Sequence, residues 1–166
     1  RPGRQPVPGG GDAGARDHGA VFIDDTAGAF GERLRSRGLA LRLELPAEPL
    51  PTFGDARRLR QLFANLFENS CRYTDAGGAL RLQARREGRQ TFIDLHDSAP
   101  GVRDEQLPRL FERFFRAEAS RSRRSGGAGL GLSICERIVQ AHEGRIEARS
   151  SPLGGLWLRV ELPALG

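Results

Sequence analysis

Apolar residues recur along most of this chain at one of two spacings, every three to four residues or every second residue, and the changes of spacing mark out its elements. The clearest helical stretch is Leu59 to Tyr73. There Leu59, Leu62, Phe63, Leu66 and Phe67 form one stripe, and Gln61, Asn65 and Asn69, four residues apart, form another. The first stripe predicts a face turned to a core and the second a polar face. Asp55 stands where it can cap this helix, and Thr74, Asp75, Gly77 and Gly78 mark its end. Upstream, Val21, Ile23, Ala27, Phe30 and Leu34 predict an amphipathic helix over Val21 to Arg37 that Gly38 stops. Leu39, Leu41, Leu43 and Leu45 alternate with Ala40, Arg42 and Glu44 as a half-buried strand ended by Pro46, after which a Pro-rich turn leads to Phe53. Downstream, Ala79 to Arg86 and Thr91 to Asp97 predict two strands joined at Glu87 and Gly88. Asp104 to Leu110 suits a short helix. Leu130, Ile134, Cys135, Ile138 and Val139 restore helical spacing up to Gly144, and strands over Arg145 to Ser150 and Leu156 to Leu162 close the chain, hinged at Pro152 to Gly155.

Two stretches carry neither spacing. Residues 1–19 place seven Gly or Pro in their first eleven positions and bury nothing, which predicts a disordered linker or tail ahead of a single domain over residues 20–166. Ala117 to Gly127 is rich in Ser and Arg and reads as a mobile loop of the kind that covers an active site.

Composition narrows the classes. The 166 residues, 38% hydrophobic and 28% charged, are those of one soluble globular domain. A net charge of +5 permits contact with nucleic acid, yet no compact basic stripe interleaved with aromatics is present, so nucleic acid is not expected as a partner. All 26 basic residues are Arg, spread through every segment, a pattern read as coding bias. Cys71 and Cys135 each fall within a predicted helix and lack CxxC spacing, so neither a disulfide framework nor a zinc site is implied. No apolar run approaches the ~18 residues of a membrane span. The sequence holds no Met, so it is expected to be a piece of something longer, whose membrane anchor would lie outside it.

Asn65 and Asn69 are the only asparagines, and both stand in mid-helix although Asn prefers caps and turns. Side-chain amides offer a carbonyl oxygen to a hard cation and an NH2 to a phosphate oxygen. Asp97 ends a strand just before Ser98, Ala99, Pro100, Gly101 and Val102, where a carboxylate could accept from an adenine amino group and Gly101 could let a ligand approach the backbone. Gly127, Ala128, Gly129, Leu130, Gly131 and Leu132 open the last long helix and could cradle phosphate. They form no dinucleotide fingerprint, because no strand precedes them, and no Walker loop, because no Lys-Ser or Lys-Thr follows. Taken one at a time, each has an ordinary structural explanation: solvated polar positions, an Asp closing a turn, close helix packing. Phe111, Phe114 and Phe115 likewise read as core residues of a short helix.

The order of these stretches is the specific signal. It resembles the N, G1, F and G2 boxes of the catalytic and ATP-binding domain of bacterial two-component sensor histidine kinases, among the Bergerat-fold ATPases, over about residues 20–166. Glu68-Asn69-Ser70 with Arg72-Tyr73-Thr74-Asp75, Asp97 to Val102, and Leu110 to Phe114 are similar in wording to the envelope-stress kinases of that family. The resemblance implies an α+β two-layer sandwich, a mixed and mostly antiparallel sheet of about five strands packed on three helices, with ATP and Mg2+ as cofactors. It implies that Asn69 coordinates the metal with support from Asn65, that Arg72 binds phosphate, and that Tyr73 lines the nucleotide pocket. Asp97 would read the adenine amino group, Gly101 and Val102 would admit the ring, and Phe115 would lie beside the nucleotide. Arg116 would reach the γ-phosphate, and Gly127, Gly129, Leu130, Gly131 and Leu132 would form the phosphate side of a lid. One departure is Ala99, which stands at the first Gly of the usual Asp-x-Gly-x-Gly.

The implied activity is transfer of the ATP γ-phosphoryl group to a histidine on a separate dimerisation domain, for relay to a response regulator, in a homodimeric protein anchored at the cytoplasmic side of the bacterial inner membrane. None of His18, His96 and His142 is followed by the acidic residue and Pro of the family's acceptor helix, so the acceptor is expected elsewhere. Two rivals stand beside it. One is an ATP hydrolase of the same fold, which would need a water-activating Glu where Asn65 stands, Glu68 being the nearest substitute. The other is a binding module that uses nucleotide only as a switch.

Overall fold

The computed structural model describes residues 18–22, 30–47, 50–98, 100–115 and 131–164. In chain order these form β1 (His18–Phe22), α1 (Gly31–Ser36), β2 (Ala40–Glu44), β3 (Pro51–Asp55), α2 (Ala56–Tyr73), β4 (Ala79–Glu87), β5 (Gln90–Ser98), a 3-10 helix (Asp104–Arg109), α3 (Gly131–Ala141), β6 (Arg145–Ser150) and β7 (Gly154–Pro163). Five strands make one sheet in the order β2-β4-β5-β7-β6. The β2–β4 pair is parallel, because β3 and α2 intervene and carry the chain across, and the other three pairs are antiparallel. With three α-helices among the described residues, this is the α+β architecture expected from the sequence.

Strand alternation decides what each face does. Leu80, Leu82 and Ala84 of β4, Ile93 and Leu95 of β5, Ile146 of β6, and Leu156, Leu158, Val160 and Leu162 of β7 are buried in one core with Leu59, Leu62, Phe63, Leu66 and Phe67 of α2 and Leu132, Cys135, Ile138 and Val139 of α3. All five residues of the predicted α2 stripe are therefore in the core. The alternate residues of the strands build a polar face. There Asp94 is buried by Arg85 (3.2 Å), Arg159 (3.1 Å) and the Trp157 indole N–H (2.8 Å). Arg85 and Arg159 lie over the Phe92 ring, and Arg149 and Arg159 over Trp157.

The N-terminal part departs from expectation. Val21 belongs to β1, not to a helix, and β1 pairs antiparallel with β3, matching His18 to Asp55 and Phe22 to Pro51. The stretch read as a Pro-rich turn is thus partly a strand, and His18 and Gly19 of the expected tail are paired backbone. Helical periodicity is a weak local preference, and a second strand that satisfies five residues of backbone outweighs it. Among the described residues of this region Gly31–Ser36 is α-helix, and Ile23 and Ala27 of the expected helix lie outside the described residues. Its predicted stop holds: Gly38 has φ +75°, its N–H reaches Arg35 O, and Leu39 N–H reaches Leu34 O, both at 3.0 Å, a Schellman ending sealed by the buried Leu34 and Leu39. At the head of α2, Asp55 Oδ1 accepts from Arg57 N–H (3.0 Å) and Arg58 N–H (3.3 Å), the cap expected. The ring of His142, just past α3, ties that junction to α3, with Nε2 accepting from Asp55 N–H (3.1 Å) and Nδ1 against Ile138 O (2.8 Å).

Candidate functional site

Helix α2 carries its amides where its C-terminal half meets the end of β5. Gln61 is exposed, Asn65 half-buried and Asn69 buried, so the polar row sinks into the molecule as the helix advances. The sequence places Asn69 on a solvated face, and the structure corrects this: Asn69 is 8% exposed. The cause is tertiary, since the next residue, Ser70, is wholly buried and packs on Asp97. The Asn69 Nδ2 has no hydrogen-bond partner among the described residues. A buried amide donor left unpaired costs free energy, and an anionic oxygen brought to it would recover that cost. Arg72 and Tyr73 follow on the last turn, both half-buried.

Asp97 is the second anchor. It is 3% exposed, and both oxygens are held: Oδ1 accepts from Leu156 N–H of β7 at 2.7 Å, and Oδ2 from the Ser70 hydroxyl at 3.3 Å. Burial pushes the carboxyl up from 3.8 to about 6, while those two donors pull the other way. At neutral pH it is therefore a fixed carboxylate with lone pairs to spare, able to accept from an amino group of a ligand. The backbone around it is close. A Cβ on Gly155 would drive into Asp97 Oδ1 and the Ser98 carbonyl, and one on Gly101 would lie 3.1 Å from Gly154 O. At the other edge Ser98 Oγ accepts from Ala79 N–H (2.9 Å), and a Cβ on Gly78 would lie 2.6 Å from that oxygen.

The structure joins some predicted residues and leaves others apart. Through Ser70 it brings the Asn65 and Asn69 helix onto Asp97, and it sets Gly101 against the β6–β7 turn. Val102 packs on the core cluster, half-buried, and Leu132 belongs to that core, next to Gly131 at the start of α3. Phe115 is half-buried under the Arg109 guanidinium, 4.6 Å from its ring centre. Phe114, read as a core residue, is 70% exposed with φ +64°, because the chain turns there after the 3-10 helix. Arg116, Gly127, Gly129, Leu130, Ala99 and the loop from Ala117 lie outside the described residues. Sequence reasoning missed Ser70 and Gly155 as parts of the site. Ser70 follows Asn69 directly in the helix, and Gly155 stands in the predicted hinge, but only the fold shows that both meet Asp97.

Comparison with known proteins bears on this arrangement. Residues 54–166 match the family model described as histidine kinase-, DNA gyrase B-, and HSP90-like ATPase. The signal transduction histidine-protein kinase BaeS of Escherichia coli (strain K12) is 55% identical over 142 residues, which is 86% of this chain and 30% of BaeS. Sensor histidine kinase CpxA of the same strain is 36% identical over 76% of this chain and 27% of its own length. The chain thus spans less than a third of these curated relatives. Among solved structures, the nucleotide-free catalytic domain of histidine kinase ThkA superposes with a TM-score of 0.77 at 23% identity, covering 89% of this chain and 95% of that one. ThkA has also been solved in complex with the response regulator protein TrrA, with a TM-score of 0.73. At such identity these structures speak for the fold alone.

Proposed function

This chain belongs to the histidine kinase-, DNA gyrase B-, and HSP90-like ATPase family, and we propose that it is the ATP-binding catalytic domain of a two-component sensor histidine kinase. The observation that carries the reading is a buried, doubly held carboxylate, Asp97, tied through Ser70 to the helix that carries Asn69, a buried amide whose NH2 has no partner among the described residues. The carboxylate accepts from the exocyclic amino group of adenine. Guanine presents a carbonyl oxygen there, which a carboxylate repels. Gly101 and Gly155 keep the backbone close-set around Asp97, and the Asn69 NH2 has the chemistry to donate to a phosphate oxygen.

Magnesium fits the same donors. Among the described residues no group of three or more His, Cys, Asp or Glu could hold a metal. Its ligands would be the amide oxygens of Asn69 and Asn65 together with phosphate oxygens, the mode in which Mg2+ usually sits with a nucleotide. When bound, the ion neutralises charge on the phosphates. The protein's own part is positioning: Asp97 fixes the base, the α2 amides and Arg72 fix the phosphates, and the terminal P–O bond is held for in-line attack by an imidazole nitrogen from another domain. The partners would be that dimerisation domain and a response regulator of the BaeR-like kind, in a dimeric protein anchored at the inner membrane. No described helix is long and apolar enough to cross a membrane.

Glu68 weighs against the hydrolase reading. Its carboxylate is engaged by Arg33 at 2.5 Å and Arg37 at 3.6 Å, which turns it towards α1 and its flank. Asn65, in the position a water-activating Glu would take, cannot accept a proton. The test is phosphotransfer in trans. With labelled ATP, this chain should release negligible phosphate and never label itself, yet it should place an acid-labile phosphohistidine on an added dimerisation domain, lost when the acceptor histidine is replaced. Robust phosphate release without that domain, abolished by Glu68→Gln, would reassign the chain as a hydrolase.

A further inference from the structure

We infer that Ser70 is a positioning residue for nucleotide recognition, its buried hydroxyl fixing which oxygen of Asp97 reads the base. The inference rests on the reading of Asp97 as the purine acceptor. Four observations carry it. Ser70 is wholly buried and Asp97 nearly so, which leaves the hydroxyl little access to water as an alternative partner. Its Oγ lies 3.3 Å from Oδ2, and it is the one side-chain donor among those acting on the carboxyl. The other oxygen, Oδ1, takes the shorter bond from Leu156 N–H and is abutted by Gly155, so it is closed to a ligand. Oδ2 therefore remains as the reading oxygen, and its direction is set by a side chain of the same helix that carries Asn65 and Asn69. Adenine and phosphate recognition are in this way tied to one rigid element.

The charged surroundings leave this role to Ser70. Among the described residues no ionic partner acts on Asp97: burial raises its pKa, and Leu156 N–H and Ser70 lower it. Facing it across the sheet is Leu80 of β4. The neighbouring titratable group on β5, His96, points to the opposite face, where its Nδ1 meets Ser151 Oγ (2.9 Å), its ring stacks on Trp157, and burial followed by Arg81 lowers its pKa. A hydroxyl that donates to the ionised form favours that form. Removing it should free the Oδ2 lone pair to rotate out of register and make protonation easier.

The experiment compares wild type with Ser70→Ala and Ser70→Cys in two measurements. In the ligand-free chain, carboxyl-carbon NMR follows the titration of Asp97; the midpoint should rise by up to ~1 pH unit in Ser70→Ala, with Ser70→Cys, a weaker donor, between the two. In the second, affinity for an ATP analogue and for the matching GTP analogue is measured across the same pH range, where titration of the ligand's own phosphates cancels between the proteins. Near neutral pH, Ser70→Ala should bind ATP roughly tenfold more weakly and lose most of its preference over GTP. A purely structural Ser70 would shift unfolding but leave the Asp97 midpoint and the ATP to GTP ratio where they were, and that result overturns the inference alone. Wild type that titrates as described but binds both purines equally overturns the reading of Asp97 and the inference with it.

Discussion

Replacing Asp97 by Asn should make the protein more stable and a poorer nucleotide binder at once. Folding moves this carboxyl from 3.8 to about 6, chiefly by burying it. A rise of about two units, at 1.36 kcal/mol each, means that keeping the side chain ionised in the folded state costs ~3 kcal/mol near neutral pH. The sign follows from proton binding. The folded state holds the proton more tightly than the unfolded chain, so this cost is absent below about pH 4, grows between there and about pH 6, and is complete above. Asn has no charge to desolvate, keeps an oxygen for Leu156 N–H, and offers an NH2 that the Ser70 oxygen can accept. Near pH 7 the variant should therefore resist urea better by ~1–3 kcal/mol, and the gap should close as pH falls towards 4. Over the same series ATP binding should weaken by ~1.5–3 kcal/mol, with discrimination against GTP blurred, because an NH2 donor then stands where Oδ2 accepted from the amino group. Equal stability of the two proteins near pH 7, or a gap that does not change with pH, would refute the reasoning. An unchanged ATP affinity would reduce Asp97 to a turn residue.

Two further outcomes follow from the same neighbourhood. Asn69→Ala should abolish the Mg2+-dependent part of nucleotide affinity, seen by calorimetry with and without the metal, while leaving stability unchanged or up to ~1 kcal/mol higher, since an unpaired buried donor is removed and Ala is the better helix former. Gly155→Ala should cost ~1–3 kcal/mol by denaturation and remove nucleotide binding, because its methyl would occupy the place of Asp97 Oδ1 and the Ser98 carbonyl.

How far these sites could be seen in the sequence depends on how local their causes are. Helix α2 and its core stripe were legible because Leu59, Leu62, Phe63, Leu66 and Phe67 carry the period themselves, and the β4–β5 hairpin because Leu80, Leu82, Ile93 and Leu95 alternate around Gly88. Asp55 as cap and Gly38 as stop were legible for the same reason. The β1–β3 pair was not, since nothing in Val21 or Phe22 names a strand some thirty residues away. Burial of Asn69 and the clamp on Asp97 were also hidden: one donor comes from 27 residues before Asp97 and the other from 59 after it. The roles of Asn65, Asn69 and Asp97 were suggested by ordered resemblance, and the surroundings that make Asp97 a fixed acceptor came only from the fold.

The arginines over Phe92 and Trp157 bear on how the surface of this domain can be engineered. Guanidinium groups are flat, weakly hydrated and able to lie along a ring while still reaching a carboxylate, as Arg159 does over both aromatics and against Asp94. A lysine ammonium is compact and strongly hydrated, and it would leave those rings bare. A chain whose 26 basic residues are all Arg can roof its second sheet face with them, whatever coding pressure put them there. Arginine-to-lysine exchange, which adds an amine for labelling, is thus safe at exposed helix positions such as Arg57 and Arg58. At Arg85, Arg149 and Arg159 the same exchange would strip the roof and expose a sticky aromatic strip running across β5 and β7.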